Sequence, residues 1–248
     1  MIESLQPDWP APAHVRALVT TRRGGVSLGP FESLNLADHV GDDPRAVECN
    51  RRYLKQQCRL PAEPFWIKQV HGCAVADADR DREGCEADAV CTARTGVVCA
   101  VLTADCLPLL ITDRPGRQVC AVHAGWRGLA AGVIERALQR MASPAQQLMV
   151  WLGPAIGASA FEVGDEVRQA FLEETSEDGK AFTPAGQGCW LADIYSLARS
   201  RLKRAGVGFV GGGDYCTVTH RERFYSYRRD GVTGRMASLI WLEPEEGA

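Results

Sequence analysis

Residues Val97–His123, VVCAVLTADCLPLLITDRPGRQVCAVH, hold three short apolar runs with no room for a helix between them. The runs Val97–Thr103, Leu107–Thr112 and Val119–His123 are β-branched and apolar almost throughout, as expected of strands covered on both faces. Consecutive strands of this kind argue against a regular βαβ repeat and predict an α+β fold, mixed β-sheets flanked by helices. Outward from this segment, further strands are predicted at Val15–Thr21, Phe65–Val70, Leu148–Leu152, Phe224–Tyr227 and Met236–Leu242. Helices are predicted between them. Asp43-Pro44 sets a capping side chain before a proline at the first helical position, and Val47, Leu54 and Cys58 mark one face. Leu129–Met141 and the segment around Val167, Ala170 and Phe171 show helical periodicity. A last helix has Asp193 as its N-cap, Ile194, Leu197, Ala198 and Leu202 inward, and Gly206 as its stop.

The 248 residues suffice to bury a sizeable core without disulfides or metal, and no linker or repeat divides them, so one domain over 1–248 is expected. Hydrophobic residues at 46% and charged ones at 24% exclude a disordered, collagenous or coiled-coil chain. With 28 basic and 31 acidic side chains, the net charge of −3 argues against a coat for nucleic acid or anionic membrane. The start, MIESLQPDWPAPAH, has no basic-then-apolar signal pattern, and no run reaches the roughly 18 apolar residues of a membrane span. A cytoplasmic protein is expected.

None of the ten cysteines forms a C-x-x-C pair, which removes support for zinc ribbons, thioredoxin-like sites and ferredoxin-type clusters. Most read as small buried apolar residues. Two of the five histidines, His71 and His123, sit in glycine-flanked contexts at expected strand ends, in Val70-His71-Gly72 and His123-Ala124-Gly125, and Cys106 falls at another strand junction between them. Two imidazoles and a thiolate suit Zn²⁺ with a fourth position open. The long gaps between them carry no specificity, so three readings stand: a shared metal site, a Cys106–His123 nucleophile pair oriented by Asp105, or separate core and loop residues. The turns Thr20–Gly25 and Tyr227–Asp230 set arginines near backbone N–H groups, which suits phosphate or carboxylate as well as plain solvent. No dinucleotide, P-loop or nucleophile-elbow motif is present.

Six motifs together strongly resemble the laccase-domain family, also called multicopper polyphenol oxidase family proteins or peptidoglycan-editing factors. They are Thr21–Ser27, Ser33–Leu36, Gln69–Gly72, Thr103–Pro108, Ala121–Gly128 and Trp151–Gly157. Phe224–Asp230 and Gly234–Ser238 extend the resemblance over nearly the whole chain. Tyr215 stands where several relatives carry a basic residue, and no role is assigned to the Gly211–Cys216 loop.

The resemblance implies a zinc ion held by His71, Cys106 and His123, with Cu²⁺ as an alternative or adventitious metal. It also implies a fold similar to a group of cysteine hydrolases. The activities implied are phosphorolysis of purine nucleosides and of 5′-methylthioadenosine, together with deamination of adenosine. Under this reading Cys106, His123 and Asp105 are the catalytic group, with Asp105 as general base or partner of a ligand. Arg22 is assigned to phosphate and Asn35 to ribose or base. The partners are then purine nucleosides and phosphate, with no nucleic acid or membrane. A rival reading is an amidase acting on nucleotide-linked muramyl precursors loaded with serine or glycine, for which Arg22, Arg228 and Arg229 gain weight. A third is a non-catalytic metal-dependent binding protein. Copper-dependent oxidation of phenols fails on the histidine count, because a multicopper cluster uses H-x-H pairs and this chain has none.

Overall fold

Alternation along a strand decides which face each side chain covers. In Val98–Thr103, the side chains of Val98, Ala100 and Leu102 pack with Leu34, Leu36 and Leu54, whereas Cys99 and Val101 pack with Val90, Leu110 and Ala121. Every residue of Val98–Thr103, Leu107–Asp113 and Val119–Ala124 is buried, as their composition requires. Each fully buried leucine or isoleucine here contributes about 1.5–3 kcal/mol, so these strands anchor the fold.

The computed structural model describes residues 1–243; the remainder of the acidic end, 244–248, lies outside the described residues. A five-stranded sheet runs in the order Ser4–Leu5, Val15–Thr20, Met236–Leu242, Val98–Thr103 and Pro64–Phe65. A six-stranded sheet runs Phe209–Gly212, Leu148–Leu152, Leu107–Asp113, Val119–Ala124, Ala89–Thr92 and Val75–Asp77. Most pairings are antiparallel, but three at or near the sheet edges are parallel, so both sheets are mixed. The two sheets stack through Val19, Val101 and Ile240 on one side and Val90, Leu110 and Trp151 on the other.

Helix Pro44–Gln57 covers the outer face of the first sheet through Leu54. Helices Trp126–Ala130, Val133–Arg140, Asp165–Leu172 and Ile194–Arg204 cover the second, where Leu129, Ile134, Phe171 and Leu197 meet Leu109, Ile111 and Val122. A third, three-stranded sheet of Glu162–Gly164, Cys189–Ala192 and Phe182–Gly186 packs beside these helices. The α+β class is therefore as expected.

Both N-caps act as expected. The Asp43 carboxylate accepts from the N–H of Arg45 at 2.9 Å, and that of Asp193 from Ser196 at 3.0 Å. Gly206 ends the last helix at φ +77°. Three expectations are corrected. Phe65–Val70 is a strand only at its start, within Pro64–Phe65; beyond it Lys68 makes an isolated bridge to Glu86, and the Gln69 side chain takes the place of a ladder to Leu102, its Oε1 accepting from the N–H of Leu102 at 2.7 Å and its Nε2 donating to the Leu102 carbonyl at 2.8 Å. Phe224–Tyr227 is no strand, since Ser226 caps a short helix, Tyr227–Asp230, by accepting from the N–H of Arg229. Leu129–Met141 is broken into two helices by Gly132, which stands at φ +87°.

Candidate metal centre

The chain crosses from the first sheet to the second at Thr103-Ala104-Asp105-Cys106. Asp105 takes φ +88° to make that turn. Its buried carboxylate accepts from the Thr217 hydroxyl at 2.5 Å and from the N–H of Arg228 at 2.7 Å, which fastens the crossover to the late loops. Cys106 follows, half-buried, at the mouth of the second sheet. His123 is not beyond a strand end but inside Val119–Ala124, opposite Pro108 and only 3% exposed. His71 sits on a loop at φ +59°.

These three side chains converge. One donor atom from each lies within 4.8 Å of the others, and among the described residues this is the one such group of three or more. Cys106 Sγ stands 3.8 Å from His71 Nε2, near the roughly 3.5 Å edge expected between sulfur and nitrogen ligands of a tetrahedral zinc ion. The two imidazoles meet edge-on at 80°, with centroids 4.8 Å apart.

Asp88, which no sequence motif marked, organises the cluster. Fully buried, its Oδ1 bonds His123 Nδ1 at 2.8 Å and accepts from the N–H of His71 at 2.9 Å. Its Oδ2 accepts from the N–H of Gly72 at 2.6 Å and of Val70 at 3.3 Å. Its carbonyl also accepts from the N–H of His123 at 2.7 Å. One carboxylate thus fixes the loop that carries the first histidine and the ring of the second, leaving His123 Nε2 to face the cluster.

Burial resists charge on all three inner groups, yet their mutual attraction outweighs it. The Cys106 thiol is held below its ordinary range by the charge of His123 and by hydrogen bonds from both histidines. His123 is held above its ordinary range by the Cys106 thiolate and by Asp88. Asp88 is lowered by its bond to His123 and by the backbone N–H groups around it. Each of Cys106 and His123 thus favours the charged form of the other.

Glycine is required where the Ala124-Gly125-Trp126 turn passes the ligands. A Cβ on Gly125 would stand 2.8 Å from His71 Cδ2 and 3.1 Å from Cys106 Sγ, and one on Gly128 would stand 2.4 Å from the Gly72 carbonyl oxygen. Gly125→Ala is therefore expected to push His71 and Cys106 apart and to take up less added Zn²⁺ than the wild type, while leaving the circular dichroism of the folded chain unchanged. Full zinc content in that variant would mean that the turn yields.

The cluster lies in a cleft of about 560 Å³, within the range of small-molecule sites. Gln69, Thr103, Asp105, Trp126, Phe161 and Tyr227 line it, together with Arg127, Arg228 and Arg235. No ion pair to an acidic group is made by these three arginines among the described residues. Asp105 reaches the cleft wall, but its carboxylate is engaged with Thr217 and Arg228 and makes no bond to His71 or His123.

Arg22 and Asn35 are not brought to the cleft. The Arg22 guanidinium donates to the carbonyls of Glu32 and Arg221 and stacks 4.7 Å over Tyr225, so it braces loops. Asn35 is fully buried; its Oδ1 accepts from the N–H of Ala37 and of Arg235, which ties Arg235 in place from behind. Arg229 likewise spends its guanidinium on the carbonyls of Thr217, Val218 and Phe224 and on Asp230.

The donor set fits one tetrahedral ion with an open position, and its softness suits Zn²⁺ or Cu²⁺. It does not fit a copper cluster. His14 bonds the Gly116 carbonyl and His220 the backbone of Cys216, while His39, on the cleft wall, pairs with Asp38 and is not among the three converging donors.

A family described as multi-copper polyphenol oxidoreductase laccase matches residues 16–243. A purine nucleoside phosphorylase of Pseudomonas aeruginosa is 58% identical over 96% of this chain and 98% of its own. The purine nucleoside phosphorylase YfiH of Escherichia coli is 50% identical over 98% of this chain and the whole of its own. Among solved structures, the Neisseria meningitidis protein NMB0706 superposes with a TM-score of 0.94 at 52% identity, covering 97% of this chain and 99% of its own. The chain belongs to this laccase-domain family, as its motifs indicated.

Proposed function

We propose that this member of the laccase-domain family is a metal-dependent purine nucleoside phosphorylase, with His71, Cys106 and His123 holding a zinc ion. The observation that carries the reading is the convergence of those three donors, oriented by Asp88, in the cleft that also gathers three arginines free of acidic partners. The names of the full-length relatives supply the substrate class. Bound there, a zinc ion would supply a Lewis acid and lower the pKa of a coordinated water, the chemistry that adenosine deamination also needs.

The chain's own residues supply the rest. Guanidinium groups of Arg127, Arg228 and Arg235 offer donors and charge for phosphate. Trp126, Phe161 and Tyr227 offer aromatic faces for a purine. In phosphorolysis a phosphate oxygen forms the bond to C1′ while the C1′–N9 bond breaks, and the purine leaves with the electron pair and takes up a proton. The cleft holds nucleophile and nucleoside together, which saves the entropy of their encounter. Deamination of adenosine and phosphorolysis of 5′-methylthioadenosine are expected of the same site.

The test is product analysis with inosine, guanosine, adenosine and 5′-methylthioadenosine, with and without phosphate. Free base and ribose 1-phosphate in equal amounts, only when phosphate is present, are expected from inosine. Base with free ribose, formed at the same rate without phosphate, would replace the phosphorylase by a hydrolase.

A further inference from the structure

Thr103 is 2% exposed, lines the cleft, and its hydroxyl has no hydrogen-bond partner. Buried hydroxyls are normally paired, and of the buried side-chain polar atoms left alone among the described residues, this is the one on the cleft wall. Thr103 ends its strand three residues before Cys106 and lies opposite Met236 in register, so the neighbouring Arg235 leaves the same end of the sheet. Arg235 is half-buried. Its Nη1 donates to the carbonyls of Thr233 and Gly234, and its Nε and Nη2 have no partner among the described residues. Arg235 lines the same cleft as Cys106 and Asp105.

We propose that Thr103 and Arg235 form the oxyanion subsite of the cleft and take inorganic phosphate beside the His71–Cys106–His123 cluster. The hydroxyl of Thr103 donates to one phosphate oxygen and the free N–H groups of Arg235 to others. The other two cleft arginines are held differently. Arg228 donates to the Glu162 carbonyl at 2.7 Å beside Phe161, and Arg127 stacks 4.3 Å over Trp126. Their charge lies along the same cleft. Gln69 stiffens the subsite, because it clamps both backbone groups of Leu102, the residue before Thr103.

The inference rests on the phosphorylase reading and is tested apart from it in two ways. Initial rates with inosine are measured while phosphate and inosine are varied in turn, for Thr103→Val, Thr103→Ser and Arg235→Gln. Thr103→Val is isosteric and is expected to raise the KM for phosphate about tenfold while the KM for inosine stays within about twofold. Thr103→Ser is expected to restore the wild-type value, and Arg235→Gln to raise it by about 100-fold. Calorimetric titration of the zinc-loaded protein with phosphate alone is expected to show the same ratios. Should the wild type prove not to phosphorolyse any nucleoside, weaker phosphate binding by Thr103→Val would still uphold the subsite and the phosphorylase reading alone would fall. Equal phosphate affinity in wild type and Thr103→Val, or a rise confined to the KM for inosine, overturns the subsite.

Discussion

Replacing Cys106 by alanine is expected to remove bound zinc and to lower nucleoside phosphorolysis by more than about 100-fold, beyond what loss of an outer-shell partner costs. Cys106 is the one sulfur donor of the cluster, and without it two imidazoles remain, one of them exposed. The fold should tolerate the change. Cys106 is half-buried at the crossover, and the strands on either side are fixed by packing that does not involve its sulfur. The metal-free variant should therefore melt within a few degrees of the metal-free wild type. Metal content by mass spectrometry, melting temperature and phosphorolysis rate, read on the same preparation, separate loss of the site from loss of the fold. A Cys106→Ala protein that keeps one zinc ion and its full rate would remove the cluster from the mechanism.

Asp88→Asn is expected to weaken zinc binding by about 10–100-fold, although Asp88 touches no metal position. The carboxylate accepts from His123 and from three consecutive N–H groups, and an amide of the same shape has one oxygen with which to do so. Asp88→Ala goes further, leaving several buried donors unpaired, and should destabilise the folded chain by about 3–5 kcal/mol. A pH profile distinguishes positioning of the ligands from mere structural support. Zinc can bind only when His123 is neutral, and in the metal-free protein Asp88 and Cys106 hold His123 protonated above its ordinary range. Zinc affinity must then rise with pH until that proton is lost. Without the charge of Asp88 the proton leaves at lower pH, so the rise in affinity of Asp88→Asn should end at lower pH than in the wild type. An unchanged profile with weaker binding would reduce Asp88 to a structural residue.

The strands that decide the fold could be read directly because they are buried on both faces, and such burial writes itself as unbroken apolar sequence: Val98–Thr103, Leu107–Asp113 and Val119–Ala124 show it. The caps at Asp43 and Asp193 were legible for a local reason, a side chain bonding an N–H two or three residues ahead. What could not be read was settled by distant partners. Lys68 turns its backbone to Glu86 and Gln69 satisfies Leu102 by its side chain, and Phe224–Tyr225 is buried as deeply as a strand without pairing as one. Arg22 looked like an anion ligand by composition, yet Glu32 and Arg221 claim its guanidinium. Asp88 hid for the opposite reason. It stands in Glu86-Ala87-Asp88-Ala89, which reads as a solvated edge, and the only hint was an acid set directly before the apolar run Ala89–Cys91. The convergence of His71, Cys106 and His123 came from motif resemblance, since spacings so long carry no geometry of their own.

The most direct test is to strip the purified protein of metal with a chelator and titrate Zn²⁺ back while following phosphate-dependent cleavage of inosine. The rate should begin near zero, climb in proportion to added zinc and level off at one ion per chain, with no rise in a parallel Cys106→Ala sample. Full phosphorolysis by the stripped protein, or a plateau indifferent to Cys106, would contradict a metal centre at His71, Cys106 and His123 as the seat of the reaction.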